Sequence, residues 1–371
     1  MKTKAAILYG LNEPWKVEEV DLGDPVAGEV RVKLAASGLC HSDEHLVTGD
    51  IPAGMPVIGG HEGAGVVEAV GAGVTSVKEG DHVVLGFIPS CGRCRMCSTG
   101  RQNLCDLGAQ LMGGVSIADG THRFHNSAGQ GLGTMCLLGT FSPYTVVHEA
   151  SVIKIEDDIP LDKAALVGCG VTTGWGSAVY AAEVAPGDTI VVVGVGGIGA
   201  NAIQGARLAG AKRIVAVDPV EFKREQAQQF GATHTAASLE EAFTLVNDIT
   251  WGQLADKAII TTGVATGDLI APTMALVSKG GRVVVTAVSS FFQTDVKMSL
   301  FELTLFQKEL RGSLFGSANP RADIPKLLGL YRDGLLKLDE LVTKTYTLED
   351  VNQGYADMRD GKNIRGMIVY E

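Results

Sequence analysis

Between Thr189 and Asp218 the chain permits little freedom of fold. Thr189-Ile190-Val191-Val192-Val193 is an apolar, β-branched run of strand length, and Gly194-Val195-Gly196-Gly197-Ile198-Gly199 follows it at once. A helical pattern then covers 198–208, and a second strand-like run covers 213–217. The glycines are spaced G-x-G-x-x-G, a turn whose bare backbone can approach a pyrophosphate held at a helix N-terminus, where unpaired N–H groups and the helix dipole favour negative charge. Asp218 ends the second strand. A carboxylate there accepts hydrogen bonds from the adenine ribose hydroxyls and repels a 2′-phosphate, which selects NAD over NADP. A glycine-rich turn that binds nothing is the alternative, and the position of Asp218 argues against it.

The alternation continues downstream: helical over 222–230, strand over 257–261, helical over 269–277, strand over 282–287. Residues 171–313 are therefore expected to form a Rossmann-type, doubly wound parallel sheet with helices on both faces. Residues 1–170 have a different period. Short alternating segments at 29–34, 65–70 and 81–85, punctuated by glycine, suggest a β-rich, barrel-like body with long loops and no long helix. A last strand-like run, 366–370, suggests that 314–371 returns to that first body. The expected class is α/β in two domains, which suits 371 residues. No Pro/Ser-rich linker separates the bodies, so a cleft between them is the expected ligand site.

Lys and Arg number 31 against 42 Asp and Glu, a formal net charge of −11 that disfavours nucleic acid and anionic membrane surfaces as partners. No apolar run reaches bilayer-spanning length, and the apolar core of the N-terminus is too short for a signal peptide. A reducing, cytoplasmic location is expected.

Four of the seven cysteines lie in a C-x2-C-x2-C-x7-C cluster, Cys91, Cys94, Cys97 and Cys105. Four thiolates close a tetrahedral zinc site and leave no position for substrate, so this metal should organise the lobe at 91–105. Cys40, His61 and Cys169 offer a second set of two thiols and one imidazole, a three-ligand zinc pattern with one coordination position open. Each is equally at home as a packing residue when taken alone. Cys136, in an apolar run, is expected to pack.

Gly38-Leu39-Cys40-His41-Ser42-Asp43-Glu44-His45, Gly60-His61-Glu62-Gly63-Ala64-Gly65, the four-cysteine lobe, Gly168-Cys169-Gly170-Val171-Thr172-Thr173-Gly174 and the glycine fingerprint occur in order. With them the chain resembles the zinc-dependent medium-chain alcohol dehydrogenase family across essentially its whole length. Within it, the chain is most similar to the nicotinoprotein subgroup assayed with N,N-dimethyl-4-nitrosoaniline and associated with the redox peptide mycofactocin.

The resemblance implies a GroES-like catalytic domain, a catalytic zinc on Cys40, His61 and Cys169, and a structural zinc on the four-cysteine lobe. It implies reversible oxidation of an alcohol to an aldehyde by hydride transfer to NAD, with the proton leaving through the hydroxyl of Ser42 and the cofactor ribose to His45 at the surface. Asp43 resembles the carboxylate that orients the ligating imidazole, and Glu62 the acidic residue behind the metal. Gly194, Gly196, Gly197, Ile198, Gly199 and Asp218 would hold the dinucleotide. Thr173, Lys223 and Arg365 match positions near the nicotinamide, the adenine ribose and the pyrophosphate. His41 stands where many relatives carry Arg, so a partly charged group replaces a permanent cation. The subgroup implies tightly bound NAD reoxidised in place by mycofactocin or the dye. The family implies a homo-oligomer, dimer or tetramer, joined near 310–314.

Two other readings follow different residues. A dehydrogenase acting on a thiol adduct of formaldehyde would need a basic group for the thiol cofactor, and the stretch 107–114 is uncharged. A non-catalytic zinc- or dinucleotide-binding sensor would have no use for Ser42 and His45.

Overall fold

A computed structural model describes residues 1–371. The chain divides into two compact units, Met1–Cys169 with Asn319–Glu371, and Gly170–Ala318. Residues 314–318 thus belong to the second unit. The reason is local: Gly316, at φ +63°, lies so close to Thr173 and Gly176 that an added Cβ would meet the Thr173 carbonyl oxygen at 2.4 Å.

The first unit is β-rich. Lys2–Leu8, Lys16–Leu22, Phe124–His125, Gly131–Thr134 and Val57–Ile58 close a small barrel. A second sheet runs Val152–Lys154, His82–Leu85, Gly63–Val70, Glu29–Leu39, Arg365–Val369, Val342–Tyr346, and Tyr144–His148 also pairs with Glu29–Leu39. Alternation explains the central strand: Val30, Val32 and Leu34 are buried with Val67, Val83, Leu85, Val147 and Val152, while Lys33 faces outward. The C-terminal strand returns here, antiparallel, with Gly366 opposite Leu39 and Val369 opposite Ala36. It carries Arg365 to the strand that leads into Cys40.

A short helix near the start of this unit escaped the periodicity. His41–Thr48 is a helix, although its sequence, His-Ser-Asp-Glu-His-Leu-Val-Thr, has no apolar stripe. It is sunk into the body, with Asp43, Glu44, His45 and Leu46 all buried. Polar residues are retained inside because they serve partners there, as described below.

The second unit is a six-stranded parallel sheet in the order His234–Ala236, Arg213–Val217, Thr189–Val193, Ala255–Ile260, Val277–Val285, Glu309–Gly312. In chain order this is 3-2-1-4-5-6, the doubly wound arrangement that binds dinucleotides at the carboxyl ends of its central strands. Thr189–Val193 is buried along its whole length, as a continuous Val/Ile run covered on both faces requires. The helical expectation over 269–277 is shortened: a turn at Gly267–Leu269 leads into helix Ile270–Ala275, and Val277 already begins the next strand. No helix of the protein is long and apolar enough to cross a membrane.

Candidate active site

Local backbone features converge the donors of the first unit. Cys40 is the N-cap of helix His41–Thr48 in extended conformation, and its side chain makes no capping hydrogen bond, leaving the thiol for another role. Gly60, at φ +83°, lets the next loop lie against Phe141 and Thr140, where an added Cβ would meet Phe141 Cδ1 at 2.5 Å. That loop is tied to the helix by Gly60 N–H donating to Asp43 Oδ1 at 2.7 Å. Gly168 permits close approach to strand His82–Leu85, its hypothetical Cβ meeting Leu85 O at 2.5 Å, and so sets the position of Cys169.

The ligand atoms of Cys40, His61, Glu62 and Cys169 all lie within 4.8 Å of one another, and all four residues are buried. Cys40, His61 and Cys169 are the set the residue types offered, and Glu62, expected behind the metal from the family resemblance, lies among them. His61 is 1% exposed, its Nδ1 lies 3.1 Å from Asp43 Oδ2, and its Nε2 has no partner within the protein. The Nδ1 contact is close enough for an ion pair but lies off hydrogen-bond geometry. Leaving a buried nitrogen without a partner costs about 1–3 kcal/mol, so an Nε2 beside two sulfurs fits a cation held between them. The hydrogen bond with Cys169 pulls the Cys40 thiol well below its ordinary range; burial opposes this, and the charge of His61 reinforces it. Cys169 moves the opposite way, through the same bond and through burial. Two sulfurs and an imidazole suit Zn²⁺ better than a hard cation.

Asp43 Oδ2 thus lies against the ring nitrogen turned away from the sulfurs, where a carboxylate can support a ligating imidazole. Replacement by asparagine, Asp43→Asn, should weaken zinc retention at this cluster by about 10–100-fold, measured by competition with a chelator. Equal retention would show that the Asp43–His61 contact does not support the metal.

Behind the donors, the buried guanidinium of Arg365 pairs with the Glu62 carboxylate, and its Nε is also buried without a partner. Arg365 is thus enclosed beside Glu62. Ser42 Oγ lies 3.6 Å from Cys40 Sγ. His45 departs from expectation: it is 2% exposed, not a surface group, because its helix is buried. Its Nδ1 lies 3.1 Å from Asp50 Oδ2, and its ring packs edge-on against His41 at 5.2 Å. Phe87 packs edge-on against the His61 ring at 5.9 Å and supplies an apolar wall. Cys136 is half-buried in left-handed backbone at φ +50° and packs against the apolar cluster containing Trp15 and Phe141.

In the zinc lobe the four sulfurs also lie within 4.8 Å of one another. Cys91 and Cys97 Sγ are 4.0 Å apart, and Cys94 and Cys105 Sγ 3.9 Å. A disulfide needs about 2.05 Å; sulfurs at about 2.3 Å from one zinc stand about 3.8 Å apart at a tetrahedral edge. The spacing fits a metal. Backbone N–H groups of Cys97 and Asp106 donate to Cys94 Sγ at 3.4 and 3.5 Å, and those bonds pull its thiol down to about 6.

In the second unit the fingerprint glycines divide their work. Gly194 turns at φ +96° against Thr261 and Thr262, and a Cβ on Gly199 would meet Gly194 O at 1.9 Å, so both permit close strand–helix packing. At Gly196 a Cβ would meet nothing within 4 Å. That open side faces the start of helix Gly197–Leu208, whose N-cap, Gly196, offers no side chain to its first N–H groups. The cradle fits a pyrophosphate. Asp218 is buried, with Oδ2 accepting from Val195 N at 2.8 Å and Oδ1 from Val220 N at 2.9 Å. Its carboxylate is aimed by the fingerprint loop itself. Thr173 is buried with Oγ1 unpartnered, while Lys223 lies half-buried on helix Glu221–Phe230.

Comparison with known proteins agrees with this geometry. The "Alcohol dehydrogenase GroES-like domain" family matches residues 26–157, and the "Zinc-binding dehydrogenase" family matches residues 197–333. The chain is 54% identical over 370 residues to the NDMA-dependent alcohol dehydrogenase of Amycolatopsis methanolica, covering 100% of this chain and 99% of that one. It is 55% identical over 370 residues to putative alcohol dehydrogenase D of Mycobacterium tuberculosis, covering 100% of both. The crystal structure of an alcohol dehydrogenase zinc-binding domain protein from Burkholderia ambifaria superposes with a TM-score of 0.93 at 32% identity, over 100% of this chain and 99% of that chain.

Proposed function

The chain belongs to the zinc-dependent, medium-chain alcohol dehydrogenase family, and from that premise we propose that it oxidises a primary alcohol to an aldehyde with NAD retained between turnovers. The observation that carries this reading is the buried convergence of Cys40, His61 and Cys169 with an imidazole nitrogen left for a metal. Zinc bound there would stabilise negative charge on an alcohol oxygen, and a dinucleotide on the Gly194–Gly199 cradle would accept the hydride.

The chain's own residues prepare that chemistry. Cys40 and Cys169 supply sulfur, His61 supplies nitrogen, and Asp43 holds the imidazole ring. Glu62, balanced by Arg365, stands behind them as a reserve carboxylate. The Ser42 hydroxyl, beside Cys40, would take the alcohol proton, and His45 would be the base that receives it by way of the cofactor ribose. Phe87 keeps the approach to His61 apolar, which strengthens the electrostatic interactions within it.

Retention of NAD, with reoxidation in place by mycofactocin or N,N-dimethyl-4-nitrosoaniline, is supported by the similarity to the NDMA-dependent enzyme. Protein purified without added NAD should release dinucleotide on denaturation in close to one equivalent per chain, and should reduce the dye with alcohol alone. An empty extract, with strict dependence on added NAD, would remove retention and leave an ordinary exchanging dehydrogenase. Association of copies is supported by the outer edge of strand Glu309–Gly312, which ends the sheet, and by exposed Leu314 beside it.

A further inference from the structure

His45 receives the proton in the reading above, yet it is buried, and its Nδ1 lies against the carboxylate of Asp50. We propose that Asp50 is a positioning residue of the proton path, holding His45 in the tautomer that accepts at Nε2 and stabilising the imidazolium that forms. The inference rests on the assignment of His45 as the base.

The geometry is built by the helix terminus. Gly49, at φ +81°, closes helix His41–Thr48 and turns the chain back, and Ile51 N–H donates to His45 O at 3.1 Å. Asp50 is thereby laid against the last helical turn. Its Oδ2 lies 3.1 Å from His45 Nδ1 and accepts from Thr48 Oγ1 at 2.7 Å. The Asp50 side chain is 24% exposed and that of His45 is 2% exposed, so the carboxylate stands between a buried ring and solvent. The Thr48 hydroxyl and His45 both draw the Asp50 carboxyl below its ordinary range, against partial burial. A carboxylate can only accept. Nδ1 must therefore carry hydrogen, and the lone pair lies on Nε2. When a proton arrives, an O–H bond breaks, its electron pair stays on oxygen, and an N–H bond forms at Nε2.

Other charged groups around the helix are committed or accounted for. Asp43 is spent on Gly60 and His61, and Glu44 pairs with Arg359 at 2.7 Å. His41 packs against His45 and also lowers Asp50 by its charge. From helix Val351–Arg359, Tyr355 donates to Cys40 O at 3.3 Å.

The test uses Asp50→Asn, which keeps shape and removes charge, and Thr48→Val, which removes the hydroxyl that holds Asp50. Single-turnover reduction of the bound dinucleotide by alcohol is followed against pH in the holoenzyme. A base must be neutral to accept, and loss of the nearby negative charge makes imidazole easier to deprotonate. The acidic limb should therefore move to lower pH in Asp50→Asn, while the plateau rate falls roughly tenfold and KM is unchanged. Titration of His45 by NMR of 13C-labelled histidine, identified by its loss in His45→Gln, should show the same downward shift without turnover. If Asp50→Asn does not fold, Thr48→Val should show a smaller shift of the same sign. His45 titration and rate profiles unchanged from wild type would overturn the proposal. A wild-type protein that alcohol does not reduce would overturn the dehydrogenase reading instead, and the NMR titration would still decide whether Asp50 controls His45.

Discussion

Cys40→Ser should abolish turnover. A serine hydroxyl does not ionise in the range where the site draws a proton from Cys40, so the metal loses one of its two sulfur ligands and the charge that comes with it. A Lewis acid at a developing alkoxide contributes several kcal/mol, which corresponds to a fall in kcat of roughly 10³-fold or more when it is lost. The helix that Cys40 caps should survive, because its thiol contributes no capping hydrogen bond. Zinc analysis should show the catalytic ion depleted while the lobe of Cys91, Cys94, Cys97 and Cys105 keeps its own. Near-normal turnover with that depletion would overturn the role of this cluster.

Gly199→Ala should have the next largest effect, and it acts in the other unit. The added Cβ would sit 1.9 Å from Gly194 O and 2.9 Å from Thr261 Oγ1. The first of these is backbone, held by Thr261 Oγ1 donating to it at 2.7 Å, and cannot rotate away. Helix Gly197–Leu208 must therefore move off strand Thr189–Val193, at a cost of about 1–3 kcal/mol in packing. The same shift carries the helix N-terminus away from the open side of Gly196. Dinucleotide content after purification should drop sharply, and the thermal unfolding midpoint should fall. Gly196→Ala is the informative contrast: its Cβ meets nothing, so stability should hold while dinucleotide binding is lost. Equal dinucleotide content in Gly199→Ala and wild type would show that the cradle is not where the cofactor sits.

The two variants separate contributions that the sequence presents side by side. Much of the second unit was legible because its elements obey short periods: strands 189–193 and 213–217 end where the apolar runs end, and the turn glycines mark the helix start. The helix over 41–48 was not legible, since Ser42, Asp43, Glu44 and His45 have the composition of a solvated loop. The burial of Asp43 and Glu44 depends on partners distant in sequence, namely Gly60, His61 and Arg359. Asp50 carried no signal either, although its partner His45 is close in sequence. An aspartate after a glycine reads as an ordinary helix exit, and only the fold brings its carboxylate to a buried histidine.

By its own order of residues the chain determined which chemical groups are available: one set of four cysteines at metal-ligand spacing, a glycine-rich turn open to a phosphate, and two periods of hydrophobicity that build two kinds of sheet. These follow from local geometry, which a few consecutive residues specify. Only the tertiary structure decided how the groups are placed: that Cys40, His61, Glu62 and Cys169 meet in one buried cluster, that Glu62 pairs with Arg365, and that His45 is buried against Asp50. Those outcomes depend on burial and on contacts between distant segments, such as the C-terminal strand lying beside Glu29–Leu39, and no local pattern encodes them.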